Sequence, residues 1–457
     1  MTGPSARPVP VRIEPPTRPL GRLAFIARFV RNPLSVIPHA AYEEDAVPAA
    51  QGARRFLWVT APALVKAVLL EQQAQFRKQS QIRLLSPLLG RGVLTSEGAD
   101  WKWQRQAAAP LFRQQDVMGF VPVFVRAAQA VVAGWRRSPP GTVQRVDADM
   151  TRGTFAVISA TLLPSADDTV GPAVERSTGR FQRLGAWPQL YALANLPRWL
   201  PQPGRLALLD TVRALRGAVA GVVRERRESG AAPDDLLQRL MQARDPDSGR
   251  AMNDEQLVDN LLTFYLAGHE TTAKALTWTL YLLSRSPEWT AALAAEIATV
   301  TGGAPVAAAH VERLVRVQQV LKESMRLYPP VPLMTRQAAE DTTLGGIRVP
   351  RGTSVVMPIY AIHRHRRRWP EPDAFDPKRF SLAAESAMPR YQYLPFGAGP
   401  RICIGMAFAM VEATVMLATL LQQARFVPAG GAEPMPVARV TLVPRGGLRL
   451  RVEFESA

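Results

Sequence analysis

Residues 253–286 are the longest stretch of this chain that reads as one helix. Asn253 and Gln256 have the residue types of an N-cap and its third helical position, so each side chain can satisfy the other's backbone N–H. Apolar residues then run on to Ser286-Pro287, where the segment stops. At 1.5 Å per residue such a helix is roughly 50 Å long, enough to cross an entire domain. The rest of the chain therefore has to pack around it. Midway it carries Ala267-Gly268-His269-Glu270-Thr271-Thr272, a poor sequence for a helix interior because Gly and paired Thr both cost stability there. A local rule broken inside an otherwise strong helix points to function.

Elsewhere, apolar residues recur at helical spacing over 61–75, 115–135, 205–228 and 288–300, separated by breakers at 138–141 and 201–204. Strand signals gather in two places. Residues 344–350 with 353–357 predict a hairpin turning at Pro350-Arg351-Gly352, and 437–443 with 448–452 predict another around 444–447. The fold class is mainly α with a small β portion. With 457 residues, 47% of them hydrophobic and 21% charged, and no evident linker, one large domain is expected. Pro4, Pro8, Pro10, Pro15, Pro16 and Pro19 make residues 1–20 an extended strap, leaving 21–457 as the domain. Arg28 and Arg31 cut the first apolar stretch well short of the ~18 residues a spanning helix needs. No secretion signal and no membrane anchor are expected, and a cytoplasmic location follows from that reading.

Lys+Arg 56 against Asp+Glu 38 gives a net +18, which suits nucleic acid, an acidic membrane surface or an acidic protein. A nucleic-acid binder would show clustered Lys/Arg with interleaved aromatics or a recognisable module, and neither is present. The single cysteine, Cys403, excludes an internal disulfide framework and any multi-cysteine metal site. It lies in Phe396-Gly397-Ala398-Gly399-Pro400-Arg401-Ile402-Cys403-Ile404-Gly405, just ahead of an apolar helical run from Met406 to Leu421. A glycine-bent loop of this kind brings backbone amides to the sulfur, and amides and helix dipole both favour thiolate over thiol. An isolated cysteine in apolar surroundings is ordinarily just a buried small residue. Its neighbours set this one apart.

The decapeptide resembles the haem-binding loop of the cytochrome P450 superfamily, F-x-x-G-x-R-x-C-x-G, at Phe396, Gly399, Arg401, Cys403 and Gly405. The resemblance implies a cytochrome P450 fold around a buried haem b, with Cys403 as axial thiolate and metal ligand, Phe396 beside the sulfur and Arg401 on a haem propionate. Glu323 and Arg326, with Arg379 between them and the Cys loop, are similar to the family's E-x-x-R helix and its partner arginine, a buried triad that holds the loop. Trp101 and Arg105 are similar to its W-x-x-x-R helix and would hydrogen-bond one propionate, with Arg336 and Arg401 as further partners. The mid-helix segment resembles the A-G-x-[DE]-T-T motif. By that likeness Ala267 and Gly268 leave room for dioxygen, Thr271 hydrogen-bonds it during reduction, and Glu270 passes protons inward. His269 holds the motif's variable position, with a structural or substrate-side role. His365 stands where the family commonly has Asp, and the arginines of 364–368 read as a solvated patch.

The implied enzyme is a haem-thiolate monooxygenase acting on an apolar molecule such as a fatty acid, terpenoid, steroid or aromatic. No flavin or ferredoxin module follows Cys403, so electrons would come from a separate ferredoxin and its reductase, or a flavodoxin-type donor, to a monomer. A haem-thiolate peroxygenase or isomerase is the alternative, and the Glu270-Thr271 pair argues against it. The substrate pocket is expected to draw on Leu84, Leu85, Leu88, Phe181, Leu184, Trp187, Leu190, Leu193, Phe264, Val331, Leu333, Met334 and Leu442, with no charged anchor.

Overall fold

The computed structural model describes residues 9–51, 54–139, 141–162, 170–171, 173, 186–193, 196–197, 199–230, 233 and 235–454. The long segment is a single helix, which we number α8 (Asp254–Leu283). Its capping box is formed: Gln256 N–H donates to Asn253 Oδ1 (2.9 Å) and Asn253 N–H to Gln256 Oε1 (3.1 Å). Apolar residues surround it on nearly every side, so other helices pack all round it.

The longer described helices are α1 (Arg22–Arg31), α2 (Gln79–Leu89), α3 (Gly98–Ala108), α4 (Val121–Arg136), α5 (Val146–Leu162), α6 (Ala186–Leu193) and α7 (Arg205–Ser229) before it, and α9 (Pro287–Thr301), α10 (Val315–Leu327) and α11 (Met406–Leu421) after it. The regions 205–228 and 288–300 are helical as read. Region 115–135 is two helices, Gln114–Met118 and α4, because the chain turns at Gly119-Phe120. Region 61–75 is one turn of α-helix at Pro62–Lys66, which widens into a π turn at Ala67–Glu71.

The largest sheet has the order β1-β2-β8-β5-β3, built from Ala46–Gln51, Arg54–Val59, Ser354–Met357, Met334–Ala338 and Phe76–Arg77. Both expected hairpins are re-partnered. β6 (Thr342–Leu344) pairs with β7 (Ile347–Val349) across Gly345-Gly346, whose φ angles of 55° and 81° suit a tight two-residue turn. β8 leaves to join β2 and β5. Likewise β10 (Pro436–Ala438) pairs with β11 (Leu442–Pro444), while β12 (Arg449–Glu453) lies between β4 (Val143–Arg145) and β9 (Arg425–Pro428).

Residues 9–14 of the strap lie on an aromatic cluster in which Trp278 stacks on Tyr328 at 4.1 Å. Tyr328 Oη donates to Val11 O (2.6 Å), and Ile13 N–H donates to Tyr360 Oη (3.2 Å). The loop after α2 is tied to α8: Arg91 N–H donates to Asp259 Oδ2 (2.7 Å) and Val93 N–H to Asn260 Oδ1 (2.9 Å). Gly92 is required there, since a Cβ would sit 2.5 Å from Thr263 Oγ1. These bonds fix the end of α2 beside the second turn of α8. Among the described residues, no helix is long and apolar enough to cross a membrane.

Candidate active site

The Cys loop bends at Gly397 and Gly399, both at φ 71°. Gly399 also lies so close to the π turn that a Cβ would be 2.2 Å from Leu69 O. Cys403 N–H donates back to Phe396 O (3.0 Å), closing the loop just before α11, which Gly405 caps. Cys403 is exposed and lines the cavity described below. Burial pushes the thiol up, while a backbone hydrogen bond from Gly405 and the Arg105 guanidinium oppose it. Burial wins, so amides and helix dipole do not by themselves ionise the free thiol. An iron ion that displaces the proton would.

Cys403 opens into a cavity of about 510 Å³ that runs to the middle of α8. Ala267 is exposed there although it stands mid-helix in the core, and Thr271 is half-exposed beside it. Thr271 Oγ1 donates to Ala267 O (2.7 Å), the ordinary bond of a helical threonine. Gly268 departs from expectation: a Cβ there would meet Ile158 Cδ1 at 2.6 Å, so its smallness admits α5 rather than only dioxygen. Glu270 lines the cavity and accepts from Thr441 Oγ1 (3.1 Å). His269 points the other way, fully buried, with Nδ1 2.5 Å from Tyr265 O and its ring edge-on to Phe155.

A group of cations lines the same cavity near Cys403. The Arg401 guanidinium lies 4.0 Å over the Trp101 ring and Arg105 6.0 Å from it. Arg401 Nη2 donates to Ser96 O (2.8 Å), but its Nη1 is buried with no hydrogen-bond partner. Arg336 donates to Gln81 Oε1 (3.3 Å) and Thr335 O (2.9 Å). Lys78, which sequence reasoning missed, is buried beside them and donates to Leu94 O (2.9 Å). Burial, then Arg336 and Arg401, hold Lys78 down to about 7, and burial brings Arg336 and Arg401 down to about 10. Glu97 is the acid that offsets them. Buried cations facing an apolar cavity, one with an unpartnered N–H, fit a flat apolar ligand bearing two carboxylates. Haem is such a ligand, and Cys403 would supply the donor its iron needs.

Behind the loop, Glu323 and Arg326 are wholly buried in a two-pronged pair of 2.6 and 2.8 Å. Arg326 also donates to His363 O (2.8 Å), Pro372 O (2.7 Å) and Ala374 O (2.9 Å), and Glu323 accepts from Asp376 N–H (2.8 Å). Arg379 Nε lies 3.6 Å from Glu323 Oε1. His363 Nε2 accepts from Leu394 N–H (2.8 Å), linking this cluster to the chain leading into the Cys loop. The arginine run is not uniformly solvated. Arg364 is buried, 3.9 Å over the Tyr360 ring and 3.5 Å from Asp373, and Arg368 pairs with Asp45, while Arg366 and Arg367 are exposed. His365 is buried too, and burial with Arg368 holds it down to about 4.

Of the expected pocket residues, Leu84, Leu85, Leu88, Phe264, Val331, Leu333 and Met334 line the cavity. Trp187 and Leu190 pack into the core, and Pro188, Gln189 and Ala192 take their place. Leu442 is buried behind Val440 and Thr441. Phe181, Leu184 and the Leu193 side chain lie outside the described residues. Arg439 is at the cavity edge, with its guanidinium on the carbonyls of Ala438 and Arg31.

The family model described as cytochrome P450 matches residues 36–450. The chain is 32% identical to cyclooctatin synthase of Streptomyces melanosporofaciens over 96% of this chain and 94% of that protein. It is 30% identical to cyclooctat-9-en-7-ol 5-monooxygenase of the same organism over 94% and 92%. A solved cytochrome P450DA heme domain superposes with a TM-score of 0.81 at 27% identity, covering 97% of this chain and 99% of that one.

Proposed function

The chain belongs to the cytochrome P450 family, a haem-containing monooxygenase and oxidoreductase, and from that premise we propose that its substrate is a carbocyclic terpenoid and its electron donor an acidic protein. The observation that carries this reading is a cavity with Cys403 and a group of cations at one wall and Ala267, Thr271 and apolar side chains at the other. Haem, when bound, supplies the activation of dioxygen by two electrons. Cys403 would hold its iron as thiolate. Lys78, Arg105, Arg336 and Arg401 would hold its propionates with Trp101, and Glu323, Arg326 and Arg379 would keep the supporting backbone in place.

On the α8 side, Ala267 leaves the helix surface low enough for a small molecule to lie against it. Thr271 can turn its hydroxyl from the Ala267 carbonyl into the cavity and donate there, and the Glu270 carboxylate can take a proton and release it inward. Leu84, Leu85, Leu88, Phe264 and Leu333 keep bulk water from the reacting carbon. Because Glu270 and Thr271 both line the cavity, oxygen activation is favoured over peroxide chemistry.

For the substrate, apolar walls and an Arg439 already bonded to backbone carbonyls offer little to a free carboxylate. One related enzyme is named for a cyclic alcohol with one double bond, which matches that lining. Cyclic terpene hydrocarbons and alcohols should therefore shift the haem absorption band at lower concentration than linear fatty acids. A panel in which only fatty acids bind would overturn the assignment.

A further inference from the structure

The acid in the α8 motif has a buried cation behind it. Lys274 stands one helical turn beyond Glu270 and is 3% exposed. Its Nζ lies 3.5 Å from Glu270 Oε1 and donates to Thr151 Oγ1 on α5 (3.2 Å). The same Glu270 oxygen accepts from Thr441 Oγ1 in the turn between β10 and β11 (3.1 Å). Lysine is almost never this deeply buried unless it is paired. Here the pairing draws one carboxylate oxygen toward α5 and the hairpin and leaves the residue lining the cavity.

We propose that Lys274 is a positioning residue for proton delivery, holding Glu270 as an aimed carboxylate and so setting the pH range in which Glu270 can take up and release a proton. This rests on the reading of Glu270 as the inward proton carrier. The other groups near Glu270 do not compete for the role. His269 Nε2 is 4.0 Å from Glu270 Oε2, and burial lowers that imidazole's pKa, which disfavours a second cation there. Glu412 on α11 lies beyond Thr272, and burial raises its carboxyl well above the ordinary range. Asp149 and Arg152 on α5 are paired with each other, as are Asp147 and Arg145, and Arg439 at the hairpin tip bonds backbone carbonyls. Lys274 is thus the cation that the geometry sets against the carboxylate among the described residues.

An opposite charge at this distance favours the ionised carboxyl, so removing it should raise the pH at which Glu270 ionises. The test follows the protonated-carboxyl infrared band of Glu270, identified by its loss in Glu270→Gln, against pH in haem-loaded wild type, Lys274→Met, Lys274→Gln and Lys274→Arg. The Met and Gln variants should titrate at higher pH than wild type, and the acid limb of product formed per electron should move with them. Lys274→Arg should return both toward wild type. Lys274→Gln, which keeps a bond to Thr151, carries the comparison if Lys274→Met does not accumulate. A Lys274→Gln band that titrates with wild type while Glu270→Gln uncouples would overturn this inference alone. Full coupling in Glu270→Gln would overturn the reading beneath it as well.

Discussion

Arg326 shows how much one side chain can be asked to hold. Its buried guanidinium serves Glu323 and the carbonyls of His363, Pro372 and Ala374. Arg326→Ala would leave Glu323 as a buried charge that has lost its closest partner, a loss of about 3–5 kcal/mol. Urea unfolding with haem content as a second readout should show it, and an unchanged midpoint would contradict the triad's role. Lys78 makes a pH-dependent claim. Its pKa of about 7 in the protein, against 10.5 for a free lysine, means the unfolded chain binds more protons between those values, so stability without haem rises with pH there. Propionates beside Lys78 would let it regain a proton as Cys403 loses one. At a pH of about 8–9, haem binding should release fewer protons in wild type than in Lys78→Met, read from binding heats in buffers of different ionisation enthalpy. Equal release in both would remove Lys78 from the site. Thr271→Ala, in turn, should keep consuming electrons but divert them mostly to hydrogen peroxide. Unchanged coupling would take Thr271 out of the chemistry.

At the scale of elements, the contact of α8 with α5 is where sequence reasoning about the motif was incomplete. Gly268→Ala places a methyl against Ile158, an overpacking that should cost about 1–3 kcal/mol. Ile158→Val in the same chain should recover part of it, and additive losses in thermal unfolding would show that the two do not touch. What was legible in the elements followed local rules. The α8 capping box and the extents of α7 and α9 depend on residues near in sequence. The hairpins were misread because strand signals carry no record of partner: β8 and β12 pair with strands far away in the chain, and only the left-handed glycines at 345–346 marked the true turn. Lys78 was invisible for the same reason. Nothing near it in sequence says that Arg336 and Arg401 will arrive beside it.

Over the whole molecule, the fold was legible because a few spaced motifs resemble those of one family, while the cavity's outer wall was not, since α6 turns Trp187 and Leu190 inward and offers Gln189 instead. The +18 charge also acts at this scale. Lys102 on α3 and Arg113 just beyond it are exposed, on the element that brings Arg105 beside Cys403. An acidic ferredoxin would be steered to such a face at low salt. Charge reversal at Lys102 and Arg113 should slow reduction and flatten its salt dependence while substrate binding stays intact; equal rates at low ionic strength would place docking elsewhere. All of this depends on Cys403 as the haem ligand. The direct measurement is the absorption spectrum of the reduced protein under carbon monoxide. Wild type should show the red-shifted Soret band of thiolate ligation and Cys403→Ala should lack it, whereas a wild-type spectrum typical of histidine ligation would contradict the assignment outright.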